Sequence, residues 1–206
     1  YRYIRLQNSL KCILVHDKDT ESSSASMFVG SGSLCDPIIT QEDGTKAPLN
    51  GLAHFCEHML FLGSKKYPQE ISTKHSWRST VEGHAATGED YTYYYFDIKN
   101  DYFGEALDKF SSQFEHPLLT EDCSDREMNA VDSEFKKNLS NESRARTQIE
   151  KHHAVLPGSI LNRFSTGNLE SLKVPGIMDE LRKFYNANYS SNLMSLVLVG
   201  RQNVDE

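Results

Sequence analysis

The run Gly51-Leu52-Ala53-His54-Phe55-Cys56-Glu57-His58-Met59-Leu60-Phe61-Leu62-Gly63 constrains this chain more than any other, because it sets two histidines and an acid on one short helix. At helical pitch His54 and His58, four residues apart, project from one face and can hold a single cation between their imidazoles. Glu57 lies one residue before His58, beside such a cation, where its carboxylate can take a proton from a water. Leu52, Phe55, Met59 and Leu62 recur at offsets of three and four, an apolar face that anchors the helix in a core. Gly63 suits the exit turn. Two neutral imidazoles plus one anionic oxygen suit Zn(II), which in catalytic sites takes three protein ligands and leaves a position open. The order H-x-x-E-H is itself a peptidase signature. An amphipathic helix with two surface histidines and a solvated glutamate fits the same five residues, and a third ligand has to come from elsewhere.

With 206 residues, 38% hydrophobic and 25% charged, the chain is long enough for one sizeable domain with an ordinary core. No apolar run is long enough to span a bilayer. The opening YRYIRLQNSLKCILVHD already alternates like a strand, so the chain reads as a piece of a longer one and targeting signals need not be included in it. A net charge of −7 argues against nucleic-acid binding, which relies on a basic surface, and suggests basic peptides as partners. Cys12, Cys35, Cys56 and Cys123 are too sparse for a disulfide scaffold. Reduced thiols point to the cytoplasm.

Along the chain, residues 2–7 and 11–16 read as strands joined through Asn8-Ser9, and Ser24–Gly32 as a third. Residues 32–50 read as a long surface loop with turns at Asp36-Pro37 and Asp43-Gly44. After the histidine helix, Glu70–Ser79 is expected to be helical. Tyr91–Ile98 is expected to be a strand, its four tyrosines fitting a sheet covered on both faces better than an aromatic platform. Phe103–Phe114 carries a helical apolar stripe. A long helix is expected from Thr120 or Asp122 to about Leu139, with Glu127 and Glu134 two turns apart on nearly the same side. That helix can turn a carboxylate toward a metal, although acids on a long helix are more often simply solvated. Helices over Glu142–His153 and Met178–Tyr185 and a buried strand over 191–200 complete an α+β layered structure.

Three stretches in order resemble one family: residues 51–63 with Lys65-Lys66-Tyr67-Pro68, then Asp125-Arg126-Glu127-Met128-Asn129-Ala130-Val131-Asp132-Ser133-Glu134, then Tyr189-Ser190-Ser191-Asn192-Leu193-Met194. The chain is similar to the insulinase-type zinc metallopeptidases, the inverzincins, and within them to the insulysin branch. The resemblance implies an α+β fold with a mainly antiparallel sheet packed against helices in a sandwich. It implies one zinc ion held by His54, His58 and Glu134, with Glu57 as general base and Glu127 as the acid that orients the ligands. Residues 1–206 would then be a single N-terminal, zinc-bearing peptidase domain, with peptide substrates and the remaining domains of a longer chain as partners.

The resemblance also implies that His84-Ala85-Ala86-Thr87 is the edge strand that pairs with substrate backbone. The family's asparagine is a histidine here and its aromatic is an alanine. Arg144 and Thr147 stand where insulysin carries aromatics beside a specificity pocket, which leaves a preference for bulky apolar residues in doubt. The alternative to a zinc endopeptidase is a module that holds zinc and peptide without turnover. The Cys56 thiol, inside the motif, is either reactive beside the metal or buried and inert.

Overall fold

The computed structural model describes residues 1–41, 43–68, 82–156 and 158–204, and the side chains of 82 and 83 are left aside. The helix expected over Glu70–Ser79 lies outside the described residues. Strands β1 (Arg2–Arg5) and β2 (Lys11–His16) form the opening hairpin. The turn between them carries Ser9 in the left-handed region, at φ 73°. Strand β3 (Ser22–Val29) follows. The stretch expected to be plain loop instead folds back on itself: a 3-10 turn at Ser33–Cys35 leads into the small hairpin of β4 (Ile38–Thr40) and β5 (Lys46–Pro48). Asp36 and Leu49 in this stretch are buried, so it is part of the body of the domain.

Helix α1 (Leu52–Leu60) is the histidine helix. Strands β6 (Glu82–Thr87) and β7 (Thr92–Lys99) come next, then helices α2 (Phe103–Glu115), α3 (Ser124–Asn138), α4 (Glu142–Ala154), α5 (Leu169–Leu172) and α6 (Ile177–Asn188), and strand β8 (Met194–Gly200). The short α5 has no counterpart among the expected helices; its Asn168–Ser171 capping box stabilises a single turn too brief to show periodicity. The long acidic helix begins one 3-10 turn later than expected, and neither Thr120 nor Cys123 supplies a side-chain cap.

The main sheet has the order β1-β2-β8-β3-β7-β6, with β6 at one edge. All its pairings are antiparallel except β2 with β8, the mainly antiparallel α+β arrangement expected. Alternation places Ala25, Met27 and Val29 of β3 and Tyr94, Phe96 and Ile98 of β7 on one buried face. Phe55 and Met59 of α1, Phe110 of α2, Val131 of α3 and Leu181 of α6 complete that core. Each such side chain contributes roughly 1.5–3 kcal/mol by leaving water. The opposite face differs from expectation: Tyr91, Tyr93 and Tyr95 stack on one another at 5.9–6.0 Å with Phe28 at one end and His84 at the other. These rings shield each other, and Phe28 remains 42% exposed. No helix among the described residues is long and apolar enough to cross a membrane.

Helix α1 is buried almost throughout: Leu52, Ala53, Phe55, Cys56, Glu57, Met59 and Leu60 are all inside. Its first turn has no side-chain cap of its own, since Gly51 occupies that position at φ 86°. The buried carboxylate of Asp36 does the task from a distance, accepting from Gly51 N and Ala53 N at 2.8 Å each. Burial pushes that carboxyl up to about 7 against the pull of these donors and of Arg163. Arg163 in turn donates to the Asp36 carbonyl at 2.8 Å. Beside it, Gly51 and Gly167 touch backbone to backbone; a Cβ on Gly51 would meet Gly167 Cα at 2.3 Å.

Gly51→Ala is therefore expected to cost about 3 kcal/mol or more, from strain and a collision with rigid backbone. Gly44→Ala, at φ 82° in open space, should cost only the ~1 kcal/mol of left-handed strain. Thermal unfolding of the two variants side by side checks the difference.

Candidate metal centre

With its other faces buried, α1 presents His54 and His58 half-buried toward a cleft, and α3 crosses it there. Glu134, on α3, brings Oε2 within 3.4 Å of His54 Nε2 and 3.7 Å of His58 Nε2. The three side chains form the group that can hold a metal ion among the described residues, with donor atoms all within 4.8 Å of one another. Donors about 2.0–2.1 Å from a tetrahedral zinc sit about 3.4 Å apart, so this spacing fits the ion. The chemistry of the set, two imidazole nitrogens and a carboxylate oxygen, fits it as well.

The far sides of both rings are fixed. His54 Nδ1 donates to the Thr166 carbonyl at 2.7 Å, and His58 Nδ1 meets Glu127 Oε2 at 3.3 Å. With a proton committed to each Nδ1, it is Nε2 that faces Glu134, where it can donate to the carboxylate or, once deprotonated, offer its lone pair to a metal. Glu127 is itself steadied by Arg126 Nε at 3.0 Å. One turn of spacing on α1 and two turns on α3 thus bring His54, His58, Glu127 and Glu134 together as the motif and the resemblance imply.

The charges respond accordingly. Burial works against a cation at His58, but hydrogen bonds to Glu127 and Glu134 and the Glu57 charge outweigh it and raise its pKa to about 9. Hydrogen bonds from His54 and then His58 hold Glu134 far below the usual carboxylate range. The His58 contact lowers Glu127. Burial raises Glu57, opposed by His54, by the Thr87 hydrogen bond and by His58. A buried carboxyl with a raised pKa beside a metal group is suited to carry a proton back and forth.

Glu57 shares with His54 and Glu134 a polar cavity of ≈ 260 Å³, walled on the strand side by Ala85, Ala86 and Thr87. Thr87 Oγ1 donates to Glu57 Oε2 at 2.6 Å. Of the four edge-strand residues singled out from the sequence, three therefore border the cavity. His84 is not in that lining: its exposed ring stacks on Tyr95 at 5.3 Å, on the tyrosine face of the sheet. Cys56 is fully buried, and burial pushes its thiol up, so it is the inert of the two readings.

Sequence reasoning missed three contributors. The Thr166 carbonyl is a backbone atom, which no residue type announces. Asp36 was read as a turn residue of an exposed loop. The Thr87 hydroxyl was expected to face substrate, and it also holds the Glu57 carboxylate.

Residues 11–155 match the family described as insulinase (peptidase family M16). The chain belongs to the insulinase family of peptidases. Human insulin-degrading enzyme is 40% identical over the whole chain, which covers 20% of that protein. The A-factor-processing enzyme of Saccharomyces cerevisiae is 39% identical with the same coverage. The Schizosaccharomyces pombe relative mug138, whose name designates a zinc protease, is 41% identical over the whole chain and 21% of its own length. The crystal structure of pitrilysin superposes with a TM-score of 0.87 at 32% identity, over 98% of this chain and 21% of that one. The chain thus spans about a fifth of the length of these family members. An Arabidopsis thaliana member is named as peroxisomal, so family membership does not decide the compartment.

In the metal-free chain His58 holds a proton up to about pH 9, and an ion binding at Nε2 must displace it. Zinc binding is expected to release roughly one proton at neutral pH and to tighten with rising pH, about tenfold per unit below 9 from this group. Calorimetry in buffers of different ionisation enthalpy checks it. Glu127→Gln should weaken zinc binding about 10–100-fold without abolishing it, whereas Glu134→Gln removes a donor atom and should cost more. Competition with a chelator separates the two.

Proposed function

We propose that residues 1–206 form a single zinc-bearing peptidase domain, the N-terminal part of a longer chain, that hydrolyses peptide bonds in oligopeptides or unfolded polypeptides. The observation that carries this reading is the meeting of donor atoms of His54, His58 and Glu134 within 4.8 Å of one another, at a cavity that His54 and Glu134 share with the buried carboxyl of Glu57. His54, His58 and Glu134 would hold one zinc ion. Bound there, Zn2+ supplies Lewis acidity toward a peptide carbonyl and toward water.

The chain's own residues do the rest. Glu57 Oε2 is occupied by the Thr87 hydroxyl, which leaves Oε1 to take a proton from the attacking water. As the C–N bond breaks, Glu57 gives that proton to the departing amine; a raised pKa strengthens the carboxylate as the base of the first transfer, and lying closer to neutrality it lets the same group return the proton in the second. Thr87 keeps the carboxylate aimed into the cavity. Glu127 and the Thr166 carbonyl keep both imidazoles oriented. Among the described residues β6 lies at an edge of the sheet, paired with β7, a position from which the backbone of 85–87 can take an extended peptide as a further strand.

The partners in this reading are peptide substrates and the remaining domains of the full-length protein; nucleic acid is not among them. The four free thiols support the cytoplasm as the setting.

Glu57→Gln keeps size and hydrogen bonding to Thr87 but cannot accept the proton. In the full-length protein it is expected to lower kcat by about 10²–10⁴ with unchanged zinc content. A fluorogenic-peptide assay alongside metal analysis tests this, and equal turnover in both proteins removes Glu57 as the base.

A further inference from the structure

A second cavity, of ≈ 550 Å³, adjoins the one that holds Glu57, and the two share Thr87, Arg144, Ser165 and Thr166 in their walls. Its lining is mixed: Phe135 of α3 and Phe164 meet edge to face at 5.2 Å and give an apolar patch among hydroxyl and amide side chains such as Thr147 and Gln148. Its far wall is α4, a helix with no buried residue. Among the described residues Arg144 is the one ionisable group lining it.

Among the described residues the Arg144 guanidinium, which is exposed, makes no ion pair. Other arginines here are engaged: Arg126 with Glu127, Arg146 with Glu142, Arg182 with Asp179, Arg163 with backbone carbonyls. For Arg144 only the backbone N–H has a partner, the cap residue Asn141. The two carboxylates of the first cavity are engaged with other groups: Glu134 faces two histidines and Glu57 accepts from Thr87. A guanidinium at the mouth of a partly enclosed cavity is a ready partner for an anionic oxygen pair.

We infer that Arg144 is a specificity-determining residue, selecting peptides with an acidic side chain, above all glutamate, next to the cleaved bond. Glutamate brings a methylene stem for the Phe135 and Phe164 patch and a carboxylate for the guanidinium. This rests on the peptidase reading above, and it runs opposite to what the net charge of −7 suggests. The local charge prevails because surface charges farther off than a Debye length of about 8 Å are largely screened, whereas a substrate carboxylate in contact with the exposed Arg144 lies well inside that length.

The test uses the full-length, zinc-loaded protein and a set of peptides identical except for Glu, Gln, Leu or Lys flanking the cut bond, with cut sites read by mass spectrometry. Glu is expected to exceed Gln and Lys by about tenfold in kcat/KM. Arg144→Glu should reverse the order of Glu and Lys, and Arg144→Lys should keep the order with a smaller margin. Turnover with no dependence on the charge of that residue, or an order untouched by Arg144→Glu, overturns the inference and leaves the peptidase reading intact. Binding of the same peptides by fluorescence anisotropy in the Glu57→Gln background separates the two claims. Charge-selective binding that Arg144→Glu reverses, with no turnover in the parent protein, sustains Arg144 and overturns the peptidase. Absence of both binding and turnover overturns both.

Discussion

Two hydrogen bonds on the side of the imidazoles away from Glu134 set up everything the cleft can do. His54 Nδ1 is tied to the Thr166 carbonyl and His58 Nδ1 to Glu127, and these ties turn both Nε2 atoms to the same point, so that a metal arriving there meets Nε2 of each ring. Without them each ring would be free to rotate, and the 3.4 and 3.7 Å approaches to Glu134 would not define a coordination site. The partners come from segments remote from α1, so the site exists only while three parts of the chain stay in register.

Much of the fold serves that register. Helix α1 is sunk into the core on nearly every side, which fixes its rotation. Asp36 caps its first turn from the hairpin segment, and the Gly51–Gly167 contact brings the loop that carries Thr166 against it. Helix α3 is held to the same loop by Asp132, whose Oδ1 accepts from Leu169 N at 3.1 Å. One loop therefore touches both helices that supply candidate ligands. A burial this complete also accounts for the raised proton affinity of Glu57, which a solvated carboxylate would lack.

Parts of this were legible in the residues alone. The pairing of His54 with His58 is a matter of 3.6 residues per turn, and the apolar stripe of Leu52, Phe55, Met59 and Leu62 foretold the burial of α1. The strand at 91–98 and the helices at 103–114 and 142–153 followed from period and composition. Glu134 was different: its two-turn relation to Glu127 was visible, yet nothing local distinguished it from a solvated acid, and only the resemblance tied it to the histidines. The hairpin segment around Asp36 was misread because Asp, Pro and Gly mark turns whether the turn lies on the surface or inside.

What the sequence by itself determined is the set of relations within single elements: which residues share a face, which face is apolar, which side chains can bind a metal or move a proton. Helical and strand geometry make these relations nearly independent of context. The tertiary structure decided which atoms meet across elements: a backbone carbonyl at 166 on His54, the hydroxyl of Thr87 on Glu57, a buried aspartate under the helix, and an unpartnered Arg144 at the mouth of a cavity. Such meetings depend on the summed packing of the whole core, and neither a carbonyl's direction nor a guanidinium's lack of a partner is written in any one stretch of residues.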